Sequence, residues 1–265
     1  MPSVIEPFPA WYEAVENVCI GALGLAGATI LWAAVDHRSR AARQARELLR
    51  RRGVRRALVM GVAASIFIIA AEDVLDGEPH ELLLRLDLVV RETMHWARSH
   101  PLARALASVV SKLTGPGLAG GLIIGALGLV AVNRRRDALV VAGGTLSAWL
   151  VSAGLKLTFG IPRPGHGRTL YAISGYGFPS AHALVAVVGC GLLAWSIAAG
   201  APALVRRGVY AGAGAVAAGA GISRVVLDAH WLSDVIAGLA LGVIWLNAVL
   251  LAVAHVRNPA REQPG

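Results

Sequence analysis

Seven apolar runs, separated by clusters of charge, leave this chain few folds to adopt. They fall at about 17–35, 57–74, 117–132, 138–157, 183–199, 208–222 and 235–255. Most approach the length that a helix needs to cross a hydrocarbon core. Of 265 residues, 56% are hydrophobic and 15% charged, with a mean hydropathy of +0.61, a balance that soluble domains rarely reach. The expectation is an all-α, polytopic membrane helix bundle.

The charges then orient it. A net charge of +9 would suit a nucleic-acid partner, but the arginines are bunched between apolar runs, as in cytoplasmic membrane loops. Nucleic acid is therefore not expected as a partner. Residues 1–16 hold Glu6, Glu13 and Glu16 and no Lys or Arg, the wrong sign for a signal peptide. A retained first helix with its N-terminus outside is expected. Arg38 to Arg56, the turn Asn133 to Arg136, Arg206 and Arg207, and Arg257 with Arg261 would lie inside. The arginine-rich stretch could touch anionic membrane lipids, but topology explains it.

On the outer side the chain turns acidic at Glu72, Asp73, Asp76, Glu78 and Glu81. Leu82, Leu86, Val89, Thr93 and Trp96 then recur at helical spacing, which predicts an external amphipathic helix at the membrane surface. Gly117, Gly121 and Gly125 form a small-residue stripe that predicts close helix packing. Cys19 and Cys190 fall inside apolar runs and suggest neither a disulfide framework nor a metal site.

Three polar segments interrupt the oily sequence between Lys156 and Asp234. They read K-L-T-F-G-I-P-R-P (156–164), F-P-S-A-H (178–182) and S-R-V-V-L-D-A-H-W-L-S-D (223–234). Lys156, Arg163 and Arg224 supply fixed cations of the kind that neutralise phosphoryl oxygens. His182 and His230 can attack phosphorus or move protons near neutral pH. His230 and Asp234 stand four apart, so on a helix they would share a face and the carboxylate would fix the imidazole tautomer. Asp228, two residues from His230, would point away. Pro179 followed by Ser180, Ala181 and His182, just before an apolar run, predicts the first turn of a helix, where free N–H groups favour an anion beside His182. Pro162 and Pro164 would end the helix that carries Lys156 and leave Arg163 on a rigid extended segment. Taken singly, each cation reads equally well as snorkelling to the interface. The joint pattern, with Pro164, Pro179 and Ser223 in place, favours a phosphate site.

The order K-x6-R-P, P-S-x-H and S-R-x5-H-x3-D resembles the three-part signature of the type 2 phosphatidic acid phosphatase superfamily, the membrane lipid phosphate phosphatases. Ala181 departs from the glycine usual there, keeping the backbone N–H but adding a methyl. The resemblance implies a six-helix phosphatase core, with the first span an N-terminal addition. It implies His230 as nucleophile, Asp234 as its orienting partner and His182 as acid and base. Lys156, Arg163, Ser180, Ala181 and Arg224 would hold the phosphate, with no metal or other cofactor. The expected division is 1–56 for the extra helix and basic segment, 57–256 for the phosphatase domain with an external helical loop at 75–116, and 257–265 for a cytoplasmic tail.

Every motif then falls on the outer face, in an orientation set by arginines outside the motifs. The expected protein is a bacterial inner-membrane lipid phosphatase. Its substrate would be a polyprenyl diphosphate, phosphatidic acid or a similar lipid, like those of bacterial undecaprenyl-diphosphate and phosphatidylglycerophosphate phosphatases. A lipid phosphotransferase and a non-catalytic anion transporter are the alternatives. Oligomeric state is not legible in the sequence.

Overall fold

The computed structural model describes residues 11–35, 40–76, 82–164 and 175–257. They form helices α1 (Trp11–Val35), α2 (Arg40–Arg50), α3 (Arg52–Asp76), α4 (Leu82–Thr93), α5 (His95–Ser99), α6 (Pro101–Thr114), α7 (Pro116–Ala131), α8 (Arg135–Phe159), α9 (Ala181–Ile197), α10 (Ala203–Val226) and α11 (Leu232–Arg257). No strand occurs among the described residues. Five helical stretches are long and apolar enough to cross a membrane: Arg52–Leu75, Pro101–Ala131, Arg135–Phe159, Ala203–Val226 and Leu232–Val256. Val18–Ile30 and Ala181–Ile197 are shorter apolar helices. The architecture is the expected helical membrane bundle.

The shorter helix α9 is the centre. Its Leu184, Val188 and Leu192 join Val141 and Ala148 of α8 and Leu122 and Leu129 of α7 in the largest buried cluster. It also packs against α10 and α11. The outer surfaces of α7 and α8 stay apolar, with Ile124 and Leu139 each 72% exposed, as lipid-facing surfaces require. Helix α1 packs on α3, which packs on α11.

The third span begins earlier than its sequence suggests. Residues 101–114, expected in the external helical loop, instead lead through Gly115 into α7, giving a stretch of 31 residues. Pro116 does not end the rod because it occupies the first turn of α7, where a missing N–H costs nothing. Of the glycine stripe, Gly125 meets the neighbouring helix: a Cβ there would come 3.1 Å from Leu193 Cδ1. At Gly121 a Cβ would meet nothing within 4 Å.

The amphipathic stretch breaks at Met94 into α4 and α5, and its polarity is inverted relative to a soluble helix. Leu86, Val89 and Trp96 are 38%, 60% and 70% exposed, whereas Asp87 is buried. The inward carboxylate is satisfied because Asp87 Oδ1 accepts Ser233 N–H at 2.8 Å and its Oδ2 accepts the Ser233 hydroxyl at 2.6 Å. Helix α4 is also fastened at its start, where Asp73 Oδ2 accepts the Leu83 N–H at 2.7 Å. These contacts seat α4 on the start of α11, beside the polar segments.

Candidate active site

Backbone groups stitch the three polar segments into one site. Helix α8 ends at Phe159 because Gly160 takes the left-handed conformation, φ 64°, that closes a helix without a Cβ clash. The next residues run alongside the second segment, with Gly177 N–H donating to Ile161 carbonyl at 2.7 Å. The second segment joins the third where Ser180 N–H donates to the Asp234 carbonyl at 2.9 Å. Fully buried Phe178 anchors the junction, with ring centroids 6.1 Å from Phe67 and 5.2 Å from Phe159.

Lys156, one turn from the end of α8, donates to the carbonyls of Tyr176 at 2.9 Å and Gly177 at 2.7 Å. Arg163 crosses to the third segment, its Nη1 donating to Ala229 carbonyl at 2.8 Å and lying 3.0 Å from His230 Nε2. Arg224, buried in the last turn of α10, donates from Nη1 to Ser111 Oγ of α6 at 2.9 Å. Among the described residues of the site, Arg224 Nε, Ser180 Oγ and Asp234 Oδ1 are buried without a hydrogen-bond partner. The first two can donate, as groups that hold an anion must.

Ser180 precedes α9, and the first intrahelical bond runs from Leu184 N–H to the Ser180 carbonyl at 3.1 Å. The N–H groups of Ala181, His182 and Ala183 thus precede the helical ladder and are available to an anion. His182 emerges from this turn against the α6–α7 junction. A Cβ on Gly115 would come 2.7 Å from His182 Nε2, so only glycine allows this approach.

The His230 and Asp234 pair forms, but not as two residues of one helix. His230 precedes α11, which starts at Leu232, and Asp234 lies in that helix's first turn. His230 Nδ1 and Asp234 Oδ2 are 3.0 Å apart, and the same oxygen accepts Trp231 N–H at 3.0 Å. The carboxylate therefore binds the start of its helix as well as the imidazole, a use that residue spacing alone does not distinguish from a helical face. An Asp234-bound Nδ1–H leaves Nε2 as the lone-pair nitrogen, toward which Arg163 points. Burial, then the charges of Arg163, Lys156 and Arg224, with His182 adding to them, hold the His230 imidazole well below its ordinary value of 6.5. Burial likewise lowers the Arg163 guanidinium, with the Asp234 carboxylate opposing. Gly177 faces Asp234, and a Cβ there would stand 2.8 Å from Oδ2.

Asp228 does point away from His230, though for a different reason than helical spacing. It sits in a turn at φ 56°, an uncommon conformation for a residue with a Cβ. Its Oδ1 and Oδ2 meet Arg91 Nε at 3.0 Å and Arg91 Nη2 at 3.2 Å, and Arg98 Nη1 lies 3.7 Å from Oδ1. Arg91 also donates to Pro164 carbonyl at 3.2 Å and lies 5.3 Å from the centre of the Trp231 ring. Arg91, Asp87, Ser111 and Gly115 escaped the sequence reading; the acidic residue at left-handed φ was beyond its reach as well. His166 and Arg168, whose place in the loop after Pro164 suggests a weak substrate role, and Tyr171, a candidate pocket-lining residue, lie outside the described residues. All eight residues expected at the site are described, and each lies in or beside the joined segments.

A family model described as the PAP2 superfamily matches residues 137–257. Two curated relatives, both named decaprenylphosphoryl-5-phosphoribose phosphatase, come from the CDC 1551 / Oshkosh and ATCC 25618 / H37Rv strains of Mycobacterium tuberculosis. Each is 31% identical over 148 residues, covering 54% of this chain and 77% of the relative. Among solved structures, the crystal structure of the first transmembrane PAP2 type phosphatidylglycerolphosphate phosphatase, from Bacillus subtilis, aligns with a TM-score of 0.64. It shares 23% identity over 76% of this chain and 98% of its own, a likeness that speaks for the fold. By its relatives, its fold and its three joined segments, the chain belongs to the PAP2 superfamily and is a multi-pass membrane phosphatase.

Proposed function

We propose that this lipid phosphatase acts through a phosphohistidine formed on His230. The supporting observation is the 3.0 Å contact of His230 Nδ1 with Asp234 Oδ2, which leaves Nε2 directed at Arg163. A phosphate entering between them draws the guanidinium onto its oxygens and exposes the lone pair. His230 Nε2 attacks phosphorus in line, the bond to the leaving oxygen breaks, and His182 gives that oxygen a proton. Water then attacks the phosphohistidine while His182 takes a proton back, releasing inorganic phosphate and restoring the imidazole.

Lys156, Arg163 and Arg224 carry the role of charge neutralisation, joined by the Ser180 hydroxyl and the N–H groups at Ala181 and His182. The reading assigns phosphate neutralisation to these cations and not to a metal ion. It places the site on the outer face of a bacterial inner membrane, supported by the arginine clusters at 38–56 and 134–136. The substrate is a lipid phosphate monoester or diphosphate. The printed activity of the mycobacterial relatives favours a polyprenyl-linked phosphate.

The test is phosphate release by detergent-purified protein given undecaprenyl diphosphate or phosphatidic acid, with chelator present. Chelator-resistant release that disappears in His230→Ala, together with an acid-labile phosphoprotein in wild type, is the expected result. Full activity of His230→Ala would overturn the scheme.

A further inference from the structure

A groove of about 700 Å3 runs between α7 and α8. One wall extends from Gly115 to Val130, the other from Trp149 to Ala138, and Arg135 lies at the end remote from Gly115. Gly115 is the link with the site, because its missing side chain is what lets His182 Nε2 approach. Neither this groove nor a second apolar one, about 480 Å3 and lined by α1, α3 and α11 residues such as Ile30, Val59 and Ile236, is lined by any of the eight site residues, but only the first reaches Gly115, beside His182.

Resting on the reading of the site given above, we propose that the α7–α8 groove binds the apolar chain of the substrate. Its shape selects a single chain longer than one membrane leaflet, that of a polyprenyl phosphate, over a two-chain glycerolipid. His182 protonates the leaving oxygen, so the lipid half of the substrate lies on the His182 side of phosphorus, and that side opens at Gly115 into the groove. Length supplies the second step. Helix α7 has 16 residues, about 24 Å at its rise per residue, whereas one leaflet offers about half of a roughly 30 Å core. An acyl chain confined to its leaflet would leave the remote half of the groove uncovered. A polyprenyl chain can follow it to Val130.

Ala142 lies midway along the α8 wall and is exposed, so a larger side chain there fills the groove and not the core. The test compares wild type and Ala142→Trp on undecaprenyl diphosphate, geranyl diphosphate and dioleoyl phosphatidic acid. The expected result is a loss of kcat/KM of about tenfold or more on the undecaprenyl compound, the cost of uncovering two methylene groups. Geranyl diphosphate, too short to reach Ala142, keeps its wild-type rate and shows that the variant is folded. Equal losses on the two prenyl substrates, or no loss on the long one, overturn the proposal. Wild type is also photolabelled with a polyprenyl phosphate carrying a mid-chain diazirine, a measurement that needs no turnover. Label on α7 and α8 between Ala119 and Trp149 supports the groove; label confined to other helices overturns it. Failure of wild type to release phosphate from any of the three lipids would instead defeat the phosphatase reading, while the labelling still decides the groove.

Discussion

Arg91 grips Asp228 at two points, Nε to Oδ1 at 3.0 Å and Nη2 to Oδ2 at 3.2 Å, although α4 belongs to none of the three polar segments. The same guanidinium reaches the Pro164 carbonyl and the Trp231 ring. It therefore ties the segment carrying Arg163 to the turn carrying His230. Arg91→Gln is expected to lower kcat by up to about 100-fold, the cost of a displacement near 1 Å at a reacting group. KM should change little, and Arg91→Lys should recover only part because ammonium lacks the planar two-point grip. Steady-state kinetics on the three proteins check this; an unchanged kcat in Arg91→Gln would remove Arg91 from the positioning of His230.

Gly115 gives a sharper probe of His182 than removal of the histidine. A methyl at this position meets Nε2 at 2.7 Å, so the ring has to shift. If His182 serves the leaving oxygen, Gly115→Ala slows alkyl phosphates by about 100-fold or more, the scale of lost general acid catalysis. It should spare p-nitrophenyl phosphate, whose leaving oxygen needs no proton. A ratio of the two rates equal to wild type would count against the assignment.

Asp234→Asn retains the volume of the carboxylate but removes the charge that fixes the Nδ1–H tautomer. Turnover should fall by about 100-fold to 10,000-fold, and phosphohistidine should form more slowly when trapped by rapid alkaline quench. Gly177→Ala, which places a methyl 2.8 Å from the same Oδ2, should reproduce part of that loss with the acid intact. Normal phosphorylation rates in both variants would refute the orienting role.

Acid sensitivity follows from the buried imidazole. His230 is held well below 6.5 in the folded chain, whereas an unfolded histidine titrates near about 6.5. Between those values the unfolded chain binds more protons, so stability is full above about 6.5 and is lost as pH falls toward the native value. Thermal unfolding in detergent should show a Tm that drops across this interval, and His230→Gln should flatten the drop. For the same reason, His230 stays neutral and able to attack below 6.5, so the acid limb that it imposes on kcat/KM should lie under that pH.

How much of this was legible differs between the two kinds of residue at the site. Lys156, Arg163, Ser180, His182, Arg224, His230 and Asp234 stood out because polar groups in an apolar sequence are costly and grouped by spacing. Arg91 and Ser111 looked like ordinary residues of external helices, since what joins them to Asp228 and Arg224 is tertiary packing across 137 and 113 positions of sequence. The stripe of Leu86, Val89 and Trp96 was correctly seen as helical. Its direction needed the structure, because in a membrane protein the apolar face turns outward and the inward face can take an acid such as Asp87. The His230 and Asp234 spacing gave the right contact from an incorrect local geometry, as four residues also connect a pre-helical turn to a first helical turn.

In the orientation proposed from the arginine clusters, the junction at Gly115 also sets how deep the chemistry would lie. From the arginine turn at 134–136, α7 rises over only 16 residues before the junction, about 24 Å against a hydrocarbon thickness of roughly 30 Å. With those arginines at one interface, Gly115 and the adjoining His182 fall short of the other. On the proposed mechanism, the phosphate would sink below its neighbours' headgroups to react, and the water that completes each cycle would be conducted down after it. Dehydration of the headgroup would then be part of substrate selection, and the supply of water would limit the second half of the reaction.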